Sequence, residues 1–158
     1  MPAAAEDGPI RVRAMLPDDV DEICALPLDI GSASWGKEAL KSSLHQRDYC
    51  LTAVAPGQAV GFCVCRPAGP VIEVLQIAVN PGFRRMGIAR TMIMCAMDWA
   101  YDQGLCEVWL EVREGNKPAR FLYKELGFVE TGIRKAYYTD ALLQEDAVLM
   151  SRSLADGV

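Results

Sequence analysis

The stretch from Val71 to Met92 constrains this chain more than any other. Val71 to Val79 is almost unbroken apolar and rich in β-branched residues, the pattern of a strand covered on both faces. Asn80-Pro81-Gly82 is turn chemistry, since Pro81 cannot donate to a sheet and Gly82 accepts positive φ. Arg84-Arg85-Met86-Gly87-Ile88-Ala89 then leads into a helix with Ala89, Met92, Ile93, Ala96 and Ala100 on one stripe. A helix N-terminus carries unpaired N–H groups and the positive end of the dipole. With Gly87 and Ala89 adding no bulk and arginines alongside, the turn suits a phosphate or pyrophosphate. The same spacing also fits an ordinary strand–turn–helix with solvated arginines. Neither Gly-x-x-x-x-Gly-Lys-[Ser/Thr] nor a helix-opening Gly-x-Gly-x-x-Gly occurs, so two familiar phosphate loops are excluded.

The chain has 158 residues, net charge −5 and 51% hydrophobic residues. That is one globular domain with a substantial core. The acidic balance argues against a direct nucleic-acid binder, whose affinity rests on basic patches. No segment approaches the roughly 18 apolar residues of a membrane span, so no membrane partner is expected. The N-terminus lacks the basic and apolar regions of a signal peptide. Residues 1–9 read as a disordered lead-in, 10–154 as the domain and 155–158 as a tail.

The six cysteines sit mostly in apolar runs and are expected as buried free thiols of a cytoplasmic protein. Cys63-x-Cys65 lies in a strand pattern and is expected to send its thiols to opposite faces, which would prevent a metal knuckle. His45, the one histidine, is expected to be exposed, so neither a histidine-based triad nor a metal centre is expected.

Strands are predicted over 10–13, 49–55, 59–66, 71–79, 106–112, 128–137 and 146–153. Helices are predicted after Pro17, over 36–45, from Ala89 to about Gly104, and from Asn116 to Leu126 with Gly127 just past the end. The order is β-α-α-β-β-β-α-β-α-β-β, an α/β (α+β) fold on one mixed sheet of about seven strands. No repeats or linkers interrupt it.

Arg84-x-x-Gly87-x-Ala89 after a strand, followed by Leu122-Tyr-x-x-Leu-Gly-Phe128, resembles the acetyl-CoA signature of the GCN5-related N-acetyltransferases (GNAT family). Arg134-Lys-Ala-Tyr-Tyr138 followed by Glu145-Asp-Ala147 resembles the ribosomal-protein-alanine branch (RimI type). The resemblance spans about Ile10 to Leu154. Two runs depart from that branch: Ser32-Ala-Ser-Trp-Gly36 stands for Phe-x-x-Pro-Trp-Ser, and Asp140-Ala-Leu-Leu143 for a hairpin with Asp-Gly.

The resemblance implies a sheet splayed between the fourth and fifth strands, with acetyl-CoA as cosubstrate. Backbone amides of Arg84, Arg85, Met86, Gly87, Ile88, Ala89 and Arg90 would hold its pyrophosphate. Ile77, Ala78 and Val79 would pair with the pantetheine arm, and Asn116 would touch CoA while capping its helix. A backbone N–H near Val79, beside a strand bulge, would polarise the thioester carbonyl. Tyr123 would protonate the leaving thiolate. Its other reading is a core tyrosine.

The general base is Glu111 by the family match, on a strand where Glu107, Trp109 and Glu111 share one face. Glu73, a charge in an apolar strand, is the alternative, or else the partner of an arginine. Trp35, Tyr137 and Tyr138 would contact the acceptor, though each also fits plain packing. The implied acceptor is a protein N-terminal α-amine, such as the N-terminal alanine of a small-subunit ribosomal protein. At a pKa of about 7.7–8.0, roughly a tenth of such amines are neutral near pH 7, against about one lysine in two thousand. An α-amine therefore asks less of a base. Acetylation of a lysine or a small-molecule amine, or acyl-CoA binding without turnover, remain the other readings.

Overall fold

The structure is a computed structural model and describes residues 9–28, 36–139 and 144–158. Seven strands form one mixed sheet in the order β1-β2-β3-β4-β5-β7-β6. They are β1 (Arg11–Ala14), β2 (Tyr49–Ala55), β3 (Gln58–Ala68), β4 (Val71–Val79), β5 (Glu107–Arg113), β6 (Val129–Thr139) and β7 (Gln144–Ser153). Four α-helices join them: α1 (Asp19–Cys24), α2 (Lys37–His45), α3 (Ile88–Asp102) and α4 (Lys117–Glu125). Element order and type follow the sequence patterns. Boundaries move by one or two residues.

Two cores sandwich the sheet. On one face Ile88, Met92, Ile93, Ala96 and Ala100 of α3, with Tyr123 of α4, pack on Val60, Ile72, Val108 and Met150. On the other, Val20 and Ile23 of α1 and Leu40 of α2 pack on Phe62, Val64 and Ala78. Every strand pair is antiparallel except β4–β5, which are parallel and connected through α3.

β4 and β5 pair only from Val71↔Glu107 to Val74↔Leu110, and then diverge. This is the splay the family resemblance implied. The bulge is not near Val79, however. Against β3, Val64 faces Gln76 and Cys65 faces Val74, so the extra residue is Leu75. The bulge resets the alternation. Ile72 and Val74 face the α3 side before it, and Ile77 and Val79 face that side after it, while Leu75 and Ala78 face α1 and α2. The expectation that all of β4 is covered on both faces therefore fails beyond Val74. Without a β5 neighbour, Leu75, Gln76, Ile77 and Val79 stay half-exposed.

Cys63 and Cys65 correct a second expectation. Both point to the α3 face, and their Sγ atoms lie 3.6 Å apart. Side chains two residues apart on a strand share a face. The contact with Cys63, and then burial, pushes the Cys65 thiol upward. All six cysteines are free, but only Cys50, Cys63 and Cys65 are buried. Cys24 ends a six-residue helix and Cys106 lies just before β5, and both are exposed. His45 is exposed as expected.

Asp19 fastens β1 to the sheet. Its buried carboxylate accepts from both Arg13 Nη atoms (2.7 and 2.9 Å), from the Leu16 amide (2.7 Å) and from Thr52 Oγ1 (3.2 Å). The Arg13 hydrogen bonds, chiefly, hold the carboxyl below its ordinary range. Asp19→Ala leaves these donors unpaired and is expected to cost about 3 kcal/mol in chemical denaturation. A depressed pKa means the wild-type contribution is complete above the unfolded value of about 3.9 and is lost as pH falls through the folded value. The variant's stability should therefore depend less on pH in that acid window, and an equally steep dependence would refute the assignment.

Candidate functional site

The diverging ends of β4 and β5 open a cleft of about 1500 Å³. Ligands of open α/β sheets bind beyond the carboxyl ends of parallel strands, where this cleft lies. Gln76 to Val79 form one wall, Glu111 to Arg113 the other, and the α3 N-terminus closes one end.

That end presents a run of backbone amides. Asn80 Oδ1 accepts from the Gly82 amide at 3.0 Å, turning the chain out of β4 through a short 3₁₀ segment, Pro81–Phe83. Arg85 (φ 62°) and Gly87 (φ 77°) adopt left-handed conformations, and Gly87 caps α3. The amides of Arg85, Met86, Gly87, Ile88, Ala89 and Arg90 find no hydrogen-bond acceptor among the described residues. Consecutive free N–H groups at a helix N-terminus form an anion cradle. Arg84, Arg85, Gly87, Ile88, Ala89 and Arg90 all line the cleft. The Met86 side chain instead points to solvent, and Arg90 is ion-paired with Glu125 of α4.

Asn116 Oδ1 accepts from the Ala119 amide at 3.3 Å, capping α4 as expected, and it borders the cleft. Tyr123 lies two turns further along α4. It lines the cleft yet is only 5% exposed, packed against Phe128 with ring centroids 5.7 Å apart. Burial pushes its phenol far above the ordinary tyrosine value, so it stays protonated across the physiological range.

β5 alternates as read, with Val108, Leu110 and Val112 in the core and Glu107, Trp109 and Glu111 turned to the cleft. Glu73 sits beside Trp109 in the parallel register and borders the same space. Arg66, opposite Glu73 on β3, is clamped by Asp48 through contacts of 2.8 to 3.2 Å. Glu111 is 26% exposed, and its Oε1 lies 2.7 Å from Arg134 of β6.

Tyr137 and Tyr138 stand edge to face with centroids 5.1 Å apart. The Arg134 guanidinium lies over Tyr137 at 4.6 Å and that of Arg113 over Tyr138 at 4.2 Å. The β6–β7 register slips between Arg134 and Tyr138, and Ala136 takes φ 49° within the slip. Asp146 holds that kink, accepting from the Ala136 amide at 2.8 Å and from Lys135 Nζ at 3.1 Å. Glu145 accepts from the Gly115 amide at 2.7 Å and pairs with Arg113 at 3.2 Å. Burial, then the nearby Glu111 charge, raises the Tyr138 phenol.

The cleft thus gathers every expected site residue except two. Met86 offers only its backbone, and Trp35 lies outside the described residues, as does Asp140-Ala-Leu-Leu143. Sequence reasoning did not single out Arg134, Arg113, Glu145 or Asp146 as site residues. Arg134, Glu145 and Asp146 lie in the quoted motifs and Arg113 ends β5, but their partners are set by strand register, which the motifs do not specify.

Among the described residues, no helix is long and apolar enough to cross a membrane. A sequence model of the Acetyltransferase (GNAT) family matches residues 20–128. The chain is 32% identical over 117 residues to a [ribosomal protein bS18]-alanine N-acetyltransferase of Salmonella typhimurium, covering 74% of this chain and 79% of that protein. It is 30% identical over 141 residues to a putative enzyme of the same name from Bacillus subtilis, covering 88% and 92%. The fold is similar to the crystal structure of the ribosomal-protein-S18-alanine N-acetyltransferase from Escherichia coli. There the TM-score is 0.84 at 24% identity, covering 92% of this chain and 94% of that one. It is similar too to a chain of the NatC complex bound to Gag peptide and CoA, with TM-score 0.81 at 22% identity, covering 94% and 100%. The chain belongs to the acetyltransferase (GNAT) family and is an acetyl-CoA-dependent N-acetyltransferase.

Proposed function

We propose that this enzyme acetylates the N-terminal α-amine of a protein, with the N-terminal alanine of a small-subunit ribosomal protein as its acceptor. The observation that carries this reading is the pairing, in one cleft, of Glu111 on β5 with the buried, protonated Tyr123 on α4. The relatives named for the bS18 alanine support the acceptor. So does the Tyr137–Tyr138 pair at the cleft rim, which suits gripping the first residues of an extended chain.

In this mechanism the α3 amide cradle holds the CoA pyrophosphate, and the free edge of Ile77–Val79 aligns the pantetheine arm. The neutral amine attacks the thioester carbonyl carbon directly. Negative charge grows on the carbonyl oxygen, and the Val79 N–H stabilises it. Glu111 takes the amine proton, through water, with Arg134 fixing the carboxylate's position. The C–S bond breaks and Tyr123 donates its proton to the thiolate. No covalent enzyme intermediate forms, because both substrates occupy the cleft together.

Thiol release from acetyl-CoA tests this with short peptides that have free N-termini starting with Ala, Ser, Met or Gly, alongside N-blocked peptides with internal lysine. Turnover should require a free N-terminus and be fastest with alanine. Turnover of blocked lysine peptides would replace the α-amine with a lysine acceptor. CoA binding without turnover of any peptide would favour a small-molecule acceptor or an acyl-CoA-binding role.

A further inference from the structure

Gly61 on β3 lies opposite Val79 in the antiparallel register. A Cβ added there would fall 2.8 Å from the carbonyl oxygen of Ala78, 3.4 Å from Val79 Cα and 3.5 Å from Val79 Cγ2. The nearest of these atoms is backbone and cannot swing aside as a side chain would. Gly61 does not have a positive φ, so the constraint is space and not conformation. The neighbouring register adds to the crowding. Ala53 faces Gly61 and Val54 faces Ala59, so Val60 is an extra residue immediately before Gly61.

The close approach bears on the direction of one N–H. The Ala78 carbonyl points towards β3, close above Gly61. The chain contains no cis peptide bond, so the Val79 N–H points the opposite way, away from β3. The next amide agrees: Asn80 N donates back to Val60 O at 2.7 Å, and successive strand amides alternate in direction. Among the described residues, no strand lies on the far side of Val79 to receive its N–H, because β4–β5 pairing ends at Val74↔Leu110. The donor faces the cleft that Val79 lines.

We infer that Gly61 is a positioning residue for acetyl transfer. Its missing side chain lets β3 close against the Ala78–Val79 peptide and sets the plane from which the Val79 N–H reaches into the cleft. This rests on the proposed role of that N–H at the thioester oxygen. A methyl at residue 61 pushes on the Ala78 oxygen and rotates the peptide. The donor then misses an oxyanion that demands a distance of about 2.7–3.1 Å.

The test is Gly61→Ala, measured for kcat, for affinity towards CoA, which has no acetyl oxygen, and for thermal midpoint. The expected result is a kcat lower by about 10- to 100-fold with CoA affinity within about twofold. A kcat within about twofold of wild type would overturn the inference. So would a loss of CoA affinity as large as the loss of kcat, since that marks general damage to the cleft.

A wild-type measurement holds even if the variant folds poorly. By amide hydrogen exchange in the free protein, Val79 should exchange much faster than Asn80, whose amide is bonded to Val60. Equal protection would mean that the Val79 N–H is tied up in the sheet, which overturns the inference. In ¹H–¹⁵N spectra of wild type, the Val79 amide proton should move further downfield with acetyl-CoA than with CoA. Identical shifts would sink the oxyanion role itself. Distinct shifts together with an unimpaired Gly61→Ala enzyme would sink only the part assigned to Gly61.

Discussion

Tyr123→Phe is expected to lower kcat by about 10²- to 10⁴-fold, the range lost with a general acid, while acetyl-CoA affinity stays within about threefold. The reason lies in what the phenol touches. Its ring is buried against Phe128, and phenylalanine keeps that packing. Only the hydroxyl of this cleft-lining residue is removed. A thiolate must then leave unprotonated or take its proton from water, which a buried wall supplies poorly. The pH profile sharpens the test. Burial raises the Tyr123 phenol, so wild type should show no alkaline loss of activity from this group near neutrality. Single-turnover kinetics with a peptide acceptor would separate chemistry from binding. A comparable drop in CoA affinity with little change in kcat would make Tyr123 a packing residue.

Glu111→Gln is expected to lower kcat/KM about 10²-fold near pH 7. An amide cannot accept the amine proton, so the loss should lie in the chemical step and not in the binding of either substrate. Glutamine also breaks the ion pair with Arg134. Arg134→Gln breaks the same pair but leaves the carboxylate, so it should retain most of the activity that Glu111→Gln loses. An unchanged kcat/KM in Glu111→Gln would move the base to Glu73, which borders the same cleft, or to solvent.

Much of the site was legible because it is local. The strand, turn and helix from Val71 to Asp102 follow from apolar patterning, Asn80-Pro81-Gly82 and Gly87, and together they make the amide cradle. Asn116 reads as a cap and acts as one. The outward row Glu107, Trp109, Glu111 follows from a period of two. Errors arose where that period was misapplied or interrupted. Cys63 and Cys65 share a face because they are two residues apart. The β4 bulge falls at Leu75 because pairing with β3 needs an extra residue there, and a run of apolar residues does not reveal which one.

The sequence by itself determined the order of elements, the turn before α3 and the residue types along the cleft, because each depends on a few neighbours along the chain. Only the tertiary structure decided which groups face one another across strands. Arg134 reaches Glu111, Asp146 holds the kink before Tyr137, and Gly61 lies under the Ala78 carbonyl. These contacts join residues 23, 10 and 17 positions apart, and they depend on register. One residue of slippage sends every side chain of a strand to its other face. The bulges at Val60 and Leu75 and the slip after Arg134 set that register, and tertiary packing selects their positions.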